Sequence, residues 1–120
     1  MPKEILIVDD VRSMRKMVAS VLESAGYRVE EAGDGVEALE RAKAHKFDLV
    51  VTDHNMPRMD GVTLVRSLRE LPEYDDVALI VLSTEAGPEL KARGREAGAT
   101  GWMVKPFDPA KMLEVVGQFV

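Results

Sequence analysis

Cysteine is absent from all 120 positions of the chain. Disulfide cross-links and thiolate metal sites are therefore excluded. No apolar run approaches the roughly 18 residues that a membrane-spanning helix needs, so we expect no membrane insertion. The segment Met1–Glu4 leads directly into a short apolar strand, which is not the pattern of a secretory signal. We therefore expect a cytoplasmic protein.

An excess of positive charge is also lacking. The formal net charge of −5 argues against direct binding of nucleic acid. The charge is uneven, because residues 91–111 contain five basic and two acidic side chains. Such a local positive excess can serve an acidic partner. A solvated helix face explains the same pattern, and the charges alone favour this simpler interpretation.

Two common kinds of phosphate site are missing. No Gly-x-x-x-x-Gly-Lys-Ser/Thr loop is present, which excludes a P-loop enzyme. The turn after the first apolar strand is acidic, where a flavin phosphate would need glycine, serine or threonine donors.

The two histidines, His45 and His54, show no metal-ligand spacing, and we expect His54 to be exposed to solvent rather than catalytic.

The alternation of strand and helix patterns indicates the fold class. Hydrophobic residues make up 46% of the chain and charged residues 31%, as in ordinary globular proteins. Strand and helix patterns alternate five times without a linker, so we treat residues 1–120 as one domain. Nearly continuous apolar strands are typical of a parallel sheet that helices cover on both faces. The sequence predicts a doubly wound α/β fold of five strands and five helices.

Local signals mark where several helices begin and end. Gly26 is expected to close the first helix, and Asp34 with Glu37 forms a capping-box pattern for the second. Asp108 followed by Pro109 is typical of the start of the last helix. Helical spacing predicts that the core includes Met14, Met17, Met112 and Phe119.

Polar residues follow four of the predicted strands. They are Asp9 and Asp10 after the first strand, Asp53 after the third, Ser83 after the fourth and Lys105 after the fifth. In open α/β sheets, ligands bind at the carboxyl ends of the strands, where the winding reverses. In one of the two common strand orders, the flavodoxin-like order, this crevice lies between the first and third strands, so the three aspartates would be neighbours.

Such a cluster is suited to phosphoryl chemistry. Neighbouring carboxylates repel one another, and a hard cation such as Mg²⁺ relieves that repulsion. The carbonyl of Asn55, on the turn after Asp53, is a further candidate ligand. A carboxylate oxygen can then attack phosphorus to form an acyl phosphate. A lysine and a hydroxyl such as that of Ser83 can stabilise the transferred group.

Four motifs carry a resemblance to a known family. They are Ile7-Val8-Asp9-Asp10, the run from Asp53 to Gly61, Ser83-Thr84-Glu85, and the run from Trp102 to Phe107. Together they resemble the receiver domains of bacterial two-component response regulators, over the whole of residues 1–120. The resemblance implies the flavodoxin-like strand order 2-1-3-4-5. Asn55, Glu85 and the absence of an output domain point to the stand-alone, CheY-like chemotaxis regulators.

The resemblance implies a role for each acidic residue. Asp53 would accept a phosphoryl group from a histidine kinase. Asp10 would bind Mg²⁺ directly, together with Asp53, and Asp9 would bind it mainly through water. The backbone carbonyl of Asn55 would complete the protein ligands.

Further roles are implied for the residues around the phosphoacceptor. Lys105 would pair with the phosphoryl group, and the peptide bond after it is expected to be cis. Ser83 would move to hydrogen-bond the phosphoryl group, which opens space for Trp102 to turn inward. Asn55 and Glu85 would tune how fast the phosphate is lost to water.

Trp102 departs from the family pattern, which usually has tyrosine or phenylalanine there. An indole needs a larger cavity and a partner for its N–H, so permanent packing on the fifth strand is the alternative to rotation.

Gly94 lies within the predicted fourth helix, which it should weaken. It either belongs to a switching surface of low stability or allows close packing.

The function implied is that of a phosphoacceptor signalling protein rather than an enzyme, although it assists its own phosphorylation and dephosphorylation. Phosphorylation would shift an equilibrium between two surface shapes of a monomer. The altered surface, on the fourth helix, fifth strand and fifth helix, would bind a flagellar motor switch protein. The alternatives are a phosphorelay intermediate or phosphate sink, a receiver domain cut from a longer regulator, and a small-molecule phosphatase using Asp53. The phosphatase is disfavoured because its Asp-x-Asp-x-Thr pattern is absent.

Overall fold

A computed structural model describes residues 2–120, which form a five-stranded parallel sheet and five helices. The sheet order is β2-β1-β3-β4-β5, so the predicted doubly wound fold and its strand order are confirmed. Within residues 2–120, no helix has the length and apolar character needed to cross a membrane. The elements are β1 (Glu4–Val8), α1 (Arg12–Ser24), β2 (Arg28–Ala32), α2 (Gly35–Ala44), β3 (Leu49–Thr52), α3 (Gly61–Arg69), a 3-10 turn (Pro72–Tyr74), β4 (Ala78–Ser83), α4 (Pro88–Ala97), β5 (Gly101–Val104) and α5 (Pro109–Gly117).

The sheet separates two apolar layers. Helices α1 and α5 pack on one face and α2, α3 and α4 on the other, and every residue of β3 and β4 is buried. Successive strand side chains point to opposite faces, so a strand buried on both sides is mainly apolar, and in β3 and β4 the only polar residues are Thr52 and Ser83 at the carboxyl ends. Each large apolar side chain removed from water in this way stabilises the fold by about 1.5–3 kcal/mol.

The strand register positions the acidic residues. Val8 of β1 pairs with Thr52 of β3, and the Asp53 N–H donates to the Val8 carbonyl at 2.8 Å. On the other side of β1, the Asp9 N–H donates to the Ala32 carbonyl at 3.2 Å. Asp9 and Asp53 therefore leave adjacent strands at the same level, at the point where the winding of the sheet reverses.

The predicted helix caps are present. Asp34 Oδ1 accepts from the Glu37 N–H at 2.8 Å, and Asp108 Oδ1 accepts from the Ala110 N–H at 3.0 Å. The return bond of the capping box is displaced, because Glu37 Oε1 accepts from Gly33 N–H, at 2.7 Å, and not from Asp34. Gly26, just past the end of α1, adopts a φ of +93°, a conformation that favours glycine.

Two of the four core predictions, those for Met17 and Phe119, are wrong. Met17 is 56% exposed and Phe119 is 44% exposed, whereas Met112 is fully buried as expected and Met14 is partly buried. The buried side of α1 is formed by Val18, Ala19 and Leu22, one step around the helix from Met17. Helix α5 ends at Gly117, so helical spacing no longer governs the direction of Phe119.

A buried tyrosine joins distant parts of one layer. The Tyr74 hydroxyl donates to the Ala42 carbonyl at 2.8 Å and accepts from the Phe47 N–H at 3.2 Å. The tyrosine belongs to the 3-10 turn after α3, whereas its partners lie at the end of α2 and in the segment that leads to β3. Burial raises the pKa of the Tyr74 hydroxyl above its ordinary value.

We expect Tyr74→Phe to lower the free energy of unfolding by about 1–3 kcal/mol, because it leaves a buried N–H and a buried carbonyl without their partner. Urea denaturation followed by circular dichroism measures this change. Tyr27→Phe is the matched control, since the Tyr27 hydroxyl has no hydrogen-bond partner among residues 2–120 and its ring packs against the α1–α5 layer. Equal losses in the two variants would contradict the role given to the Tyr74 hydroxyl.

Candidate functional site

Three aspartates meet at the carboxyl ends of β1 and β3. Asp9, Asp10 and Asp53 each offer a carboxylate oxygen, and these atoms all lie within 4.8 Å of one another. Asp9 and Asp53 are buried, whereas Asp10 is exposed. The structure therefore brings together residues that are distant in sequence, as the predicted crevice requires.

Lys105 reaches this cluster from the end of β5. Its Nζ lies 2.8 Å from Asp9 Oδ2 and 3.4 Å from Asp53 Oδ2, and its side chain is only 9% exposed. The peptide bond between Lys105 and Pro106 is cis, as the family resemblance implied. One largely buried lysine thus shares its ammonium group between two carboxylates, and it offsets only part of their mutual repulsion.

The electrostatics of Asp53 favour a bound cation. Burial raises the pKa of the Asp53 carboxyl above its ordinary value, against the lowering by Lys105, and the charge of Asp9 raises it further. The His54 N–H, which donates to Asp53 Oδ1 at 2.7 Å, also lowers this pKa. Three carboxylates with one ammonium group between two of them form a hard oxygen donor set that fits Mg²⁺.

Asp9 is held by groups that the sequence analysis did not identify. Its Oδ1 accepts from the Val11 N–H at 2.9 Å, and Arg15 Nη1 donates to its carbonyl at 2.7 Å. Arg15 Nε in turn pairs with Glu31 Oε1 at 2.9 Å. The sequence did not indicate this role for Arg15, because only the fold shows that its side chain in α1 reaches back to the end of β1.

A second arginine orders the loop that follows Asp53. Arg58 has a φ of +69°, which is uncommon for a residue with a side chain. Its guanidinium group pairs with the capping carboxylate of Asp34, with Nη2 2.8 Å from Oδ2. The loop after β3 is thereby connected to the start of α2.

Glu85 links three of the predicted site residues. Asn55 Nδ2 donates a hydrogen bond to Glu85 Oε1. The Glu85 N–H donates to Ser83 Oγ at 3.1 Å, and Trp102 Nε1 donates to the Glu85 carbonyl at 2.9 Å. The sequence analysis placed each of these residues near the site but did not reveal that the loop after β4 connects them.

Trp102 packs closely on α4. A Cβ atom added to Gly94 would lie 2.8 Å from Trp102 Cζ3, closer than real Cβ atoms approach. The close-packing interpretation therefore accounts for glycine at this position. The indole N–H also has the partner that it needs, in the carbonyl of Glu85.

The expectation that His54 is exposed is wrong. Its side chain is buried, Nδ1 accepts from the Val62 N–H at 3.3 Å, and its ring centroid lies 6.2 Å from that of Trp102. The chain turns back at this point, because the Gly61 N–H donates to the His54 carbonyl at 2.9 Å. This turn brings the start of α3 over the histidine, and the sequence contains no signal for that approach.

Comparison with known proteins identifies the family. Residues 5–117 match the response regulator receiver domain, and the chain therefore belongs to that family. It is 39% identical to the chemotaxis protein CheY-3 of Vibrio cholerae over 112 residues, which cover 92% of this chain and 86% of that protein. It is 40% identical over 101 residues to a gliding motility regulatory protein of Myxococcus xanthus, covering 84% of this chain and 13% of that protein.

Solved structures agree with this assignment. The Vibrio cholerae chemotaxis protein CheY4 superposes with a TM-score of 0.96 at 42% identity, and the match covers 100% of both chains. The receiver domain of the sensor histidine kinase PA1611 from Pseudomonas aeruginosa has a TM-score of 0.91 at 27% identity, covering 99% of this chain and 98% of that one. That structure holds a magnesium ion in its active-site cleft. The chain is thus a CheY-like receiver domain of two-component signalling.

We expect Asp53→Asn to raise the free energy of unfolding by about 1 kcal/mol at pH 7 in the presence of EDTA, an order typical of single substitutions. The pKa of Asp53 is raised in the folded state, so the folded protein loses stability as the pH rises through that pKa. The gain from the substitution should therefore shrink as the pH falls towards the ordinary carboxyl range.

Urea denaturation between pH 4 and pH 8 measures this difference. Glu23→Gln removes one exposed carboxylate elsewhere on the chain and serves as the charge-matched control. An Asp53→Asn variant that is less stable than wild type without metal, or a gain that grows as the pH falls, would contradict the electrostatic account.

Proposed function

We propose that the chain is a phosphorylation-activated response regulator of chemotaxis signalling, which accepts a phosphoryl group on Asp53 from a histidine kinase. The observation that carries this proposal is the burial of Asp53 beside Asp9, Asp10 and the Lys105 ammonium group, at the switch point of the sheet. The chemotaxis proteins of Vibrio cholerae at 39% and 42% identity support the biological setting.

The contacts of Asp53 leave one of its oxygens available for phosphoryl transfer. Asp53 Oδ1 already accepts from the His54 N–H, which leaves Oδ2 as the freer oxygen for attack on phosphorus. The new O–P bond forms as the bond from phosphorus to the donor histidine nitrogen breaks. Lys105 Nζ, 3.4 Å from Oδ2, is placed to stabilise charge on the transferred group.

Metal ligands are available beside Asp53. Asp9, Asp10 and Asp53, with the backbone carbonyl of Asn55, would hold Mg²⁺, which supplies positive charge to the phosphoryl oxygens when bound. The protein acts as a phosphoacceptor that assists its own phosphorylation and dephosphorylation and not as an enzyme with a separate small-molecule substrate.

The hydrogen bonds of Glu85 connect this chemistry to the surface. Movement of the Ser83 hydroxyl towards a phosphoryl group would break its bond with the Glu85 N–H. The carbonyl of the same residue holds Trp102 on β5, so a shift of the loop after β4 reaches α4 and β5. Phosphorylation thereby shifts an equilibrium between two shapes of the surface formed by α4, β5 and α5. In its altered shape, this surface binds a flagellar motor switch protein.

Phosphorylation itself is the first test. Incubation with Mg²⁺ and labelled acetyl phosphate should give up to one label per chain, and Asp53→Asn should abolish it, because both oxygens of the neighbouring Asp9 are engaged by the Val11 N–H and the Lys105 ammonium group, and Asp10 is exposed. Asp76→Asn, at an exposed aspartate, is the matched control and should label normally.

Trp102 provides an optical readout on the same samples. Its fluorescence should respond to Mg²⁺ with beryllofluoride in wild type and not in Asp53→Asn. Sustained hydrolysis of phosphate esters at enzyme-like rates, lost in Asp53→Asn, would instead indicate a phosphatase. Transfer of label onward to a second histidine-containing protein would indicate a phosphorelay intermediate.

We also expect Glu85→Ala to shorten the lifetime of the phosphoryl group severalfold. The variant removes the side-chain bond from Asn55, which connects the turn after Asp53 with the loop after β4, and so opens a path for water. Loss of label after removal of the phosphodonor measures the lifetime. Glu89→Ala, which removes an exposed glutamate from the first turn of α4, should leave it unchanged. An unchanged or longer lifetime in Glu85→Ala would contradict this account.

A further inference from the structure

A second group of metal-ligating side chains lies away from the phosphoacceptor site. Glu4, Glu30 and His45 each offer one ligand atom, and these atoms lie within 4.8 Å of one another. Glu4 begins β1, and Glu30 lies on β2 opposite Leu6. Because Glu4 and Leu6 are two residues apart, both carboxylates project from the same face of neighbouring strands.

The histidine is held in place beside these carboxylates. His45 Nε2 lies 2.8 Å from Glu4 Oε1, and its ring stands edge-on to that of Phe47, with the ring centroids 5.1 Å apart. The His45 carbonyl shares the Tyr74 hydroxyl proton with the Ala42 carbonyl, at an oxygen–oxygen distance of 3.2 Å, which helps to anchor the backbone at the end of α2. Orientation of a ligand by surrounding contacts is typical of metal sites.

Glu4 is anchored equally well. Its backbone N–H donates to Asp48 Oδ2 at 2.8 Å, and its carbonyl accepts from the Asp48 N–H at 2.7 Å. Two of the three side chains therefore extend from backbone positions that are held on both sides. Little conformational freedom of the main chain has to be lost when a ligand binds them.

We propose that Glu4, Glu30 and His45 bind a first-row transition-metal ion, with Zn²⁺ as the representative. One imidazole and two carboxylates form a mixed nitrogen and oxygen set, which suits zinc, copper or nickel better than magnesium. Ligand atoms about 2.0–2.2 Å from one ion lie at most about 4.4 Å apart, so the present cluster needs only a small side-chain adjustment. His45 is about half exposed, which leaves room for water ligands and a path of entry.

The neighbouring arginine does not block this site. Arg41 Nη1 is 3.4 Å from Glu30 Oε1, a long contact, whereas its Nη2 lies 3.1 Å from Glu37 Oε2. A divalent ion would neutralise the charges of Glu4 and Glu30, and Arg41 would keep its partner in Glu37. The ion would join β1, β2 and the end of α2, so its binding should stabilise the folded state.

The proposal is tested by zinc titration calorimetry with Mg²⁺ present in excess, which occupies the aspartate site. Wild type should bind one Zn²⁺ per chain with an imidazole ligand, and His45→Gln or Glu30→Gln should weaken this binding by at least about tenfold. Glu40→Gln, at an exposed glutamate on α2, is the matched control for Glu30→Gln. Asp10→Asn should leave this binding unchanged, which separates it from the phosphoacceptor site.

Two further readouts identify the ligand directly. In NMR spectra, Zn²⁺ should move the ring resonances of His45 and not those of His54. Free zinc at 100 times its dissociation constant should shift the unfolding equilibrium about 100-fold towards the folded state, and His45→Gln, with binding weakened at least tenfold, should reduce that shift to about 10-fold or less. Zinc binding that is lost in Asp10→Asn but kept in folded His45→Gln, or no binding above the background of Glu30→Gln, would overturn the proposal. Neither result depends on whether Asp53 is phosphorylated.

Discussion

Repulsion among the carboxylates of Asp9, Asp10 and Asp53 is the interaction on which the arrangement of this site depends. The carboxylates are close because the apolar strands that carry Asp9 and Asp53 must be buried side by side, with Val8 opposite Thr52. Two unit charges about 4 Å apart near a protein surface interact by about 4 kcal/mol, which the burial of a few large apolar side chains outweighs. Lys105 offsets part of this repulsion, and a change of charge at Asp53 therefore affects every group around it.

The contacts of Glu85 explain how the proposed chemistry at Asp53 can affect a distant surface. The ends of β3, β4 and β5 are connected through Glu85, which contacts Asn55, Ser83 and Trp102 by its side chain, its N–H and its carbonyl respectively. Trp102 in turn packs against Gly94 of α4. A series of contacts thus runs from Asn55, two residues after the proposed phosphoacceptor Asp53, to the helix proposed to take part in output.

The fold and the members of the candidate site could be predicted from the sequence because their signals are local. Continuous apolar strands ending in Asp9, Asp53, Ser83 and Lys105 predict both the sheet and the edge at which these side chains lie. The exposure of Met17 and the burial of His54 could not be predicted. The exposure of each side chain depends on which face of its element packs against a neighbouring element. Apolar and titratable side chains occur on both the packed and the solvent-facing side, so residue type alone does not decide it.

The sequence by itself determined the alternation of strands and helices, the caps of α2 and α5, and the acidic, hydroxyl and lysine groups at the strand ends, since these follow from residue type and spacing along the chain. Only the tertiary structure decided which groups meet. The contacts of Glu85 with Asn55 and Trp102, and the approach of His45 to Glu4 and Glu30, each join elements far apart in sequence. Their geometry depends on sheet register and helix packing, which are properties of the whole folded chain.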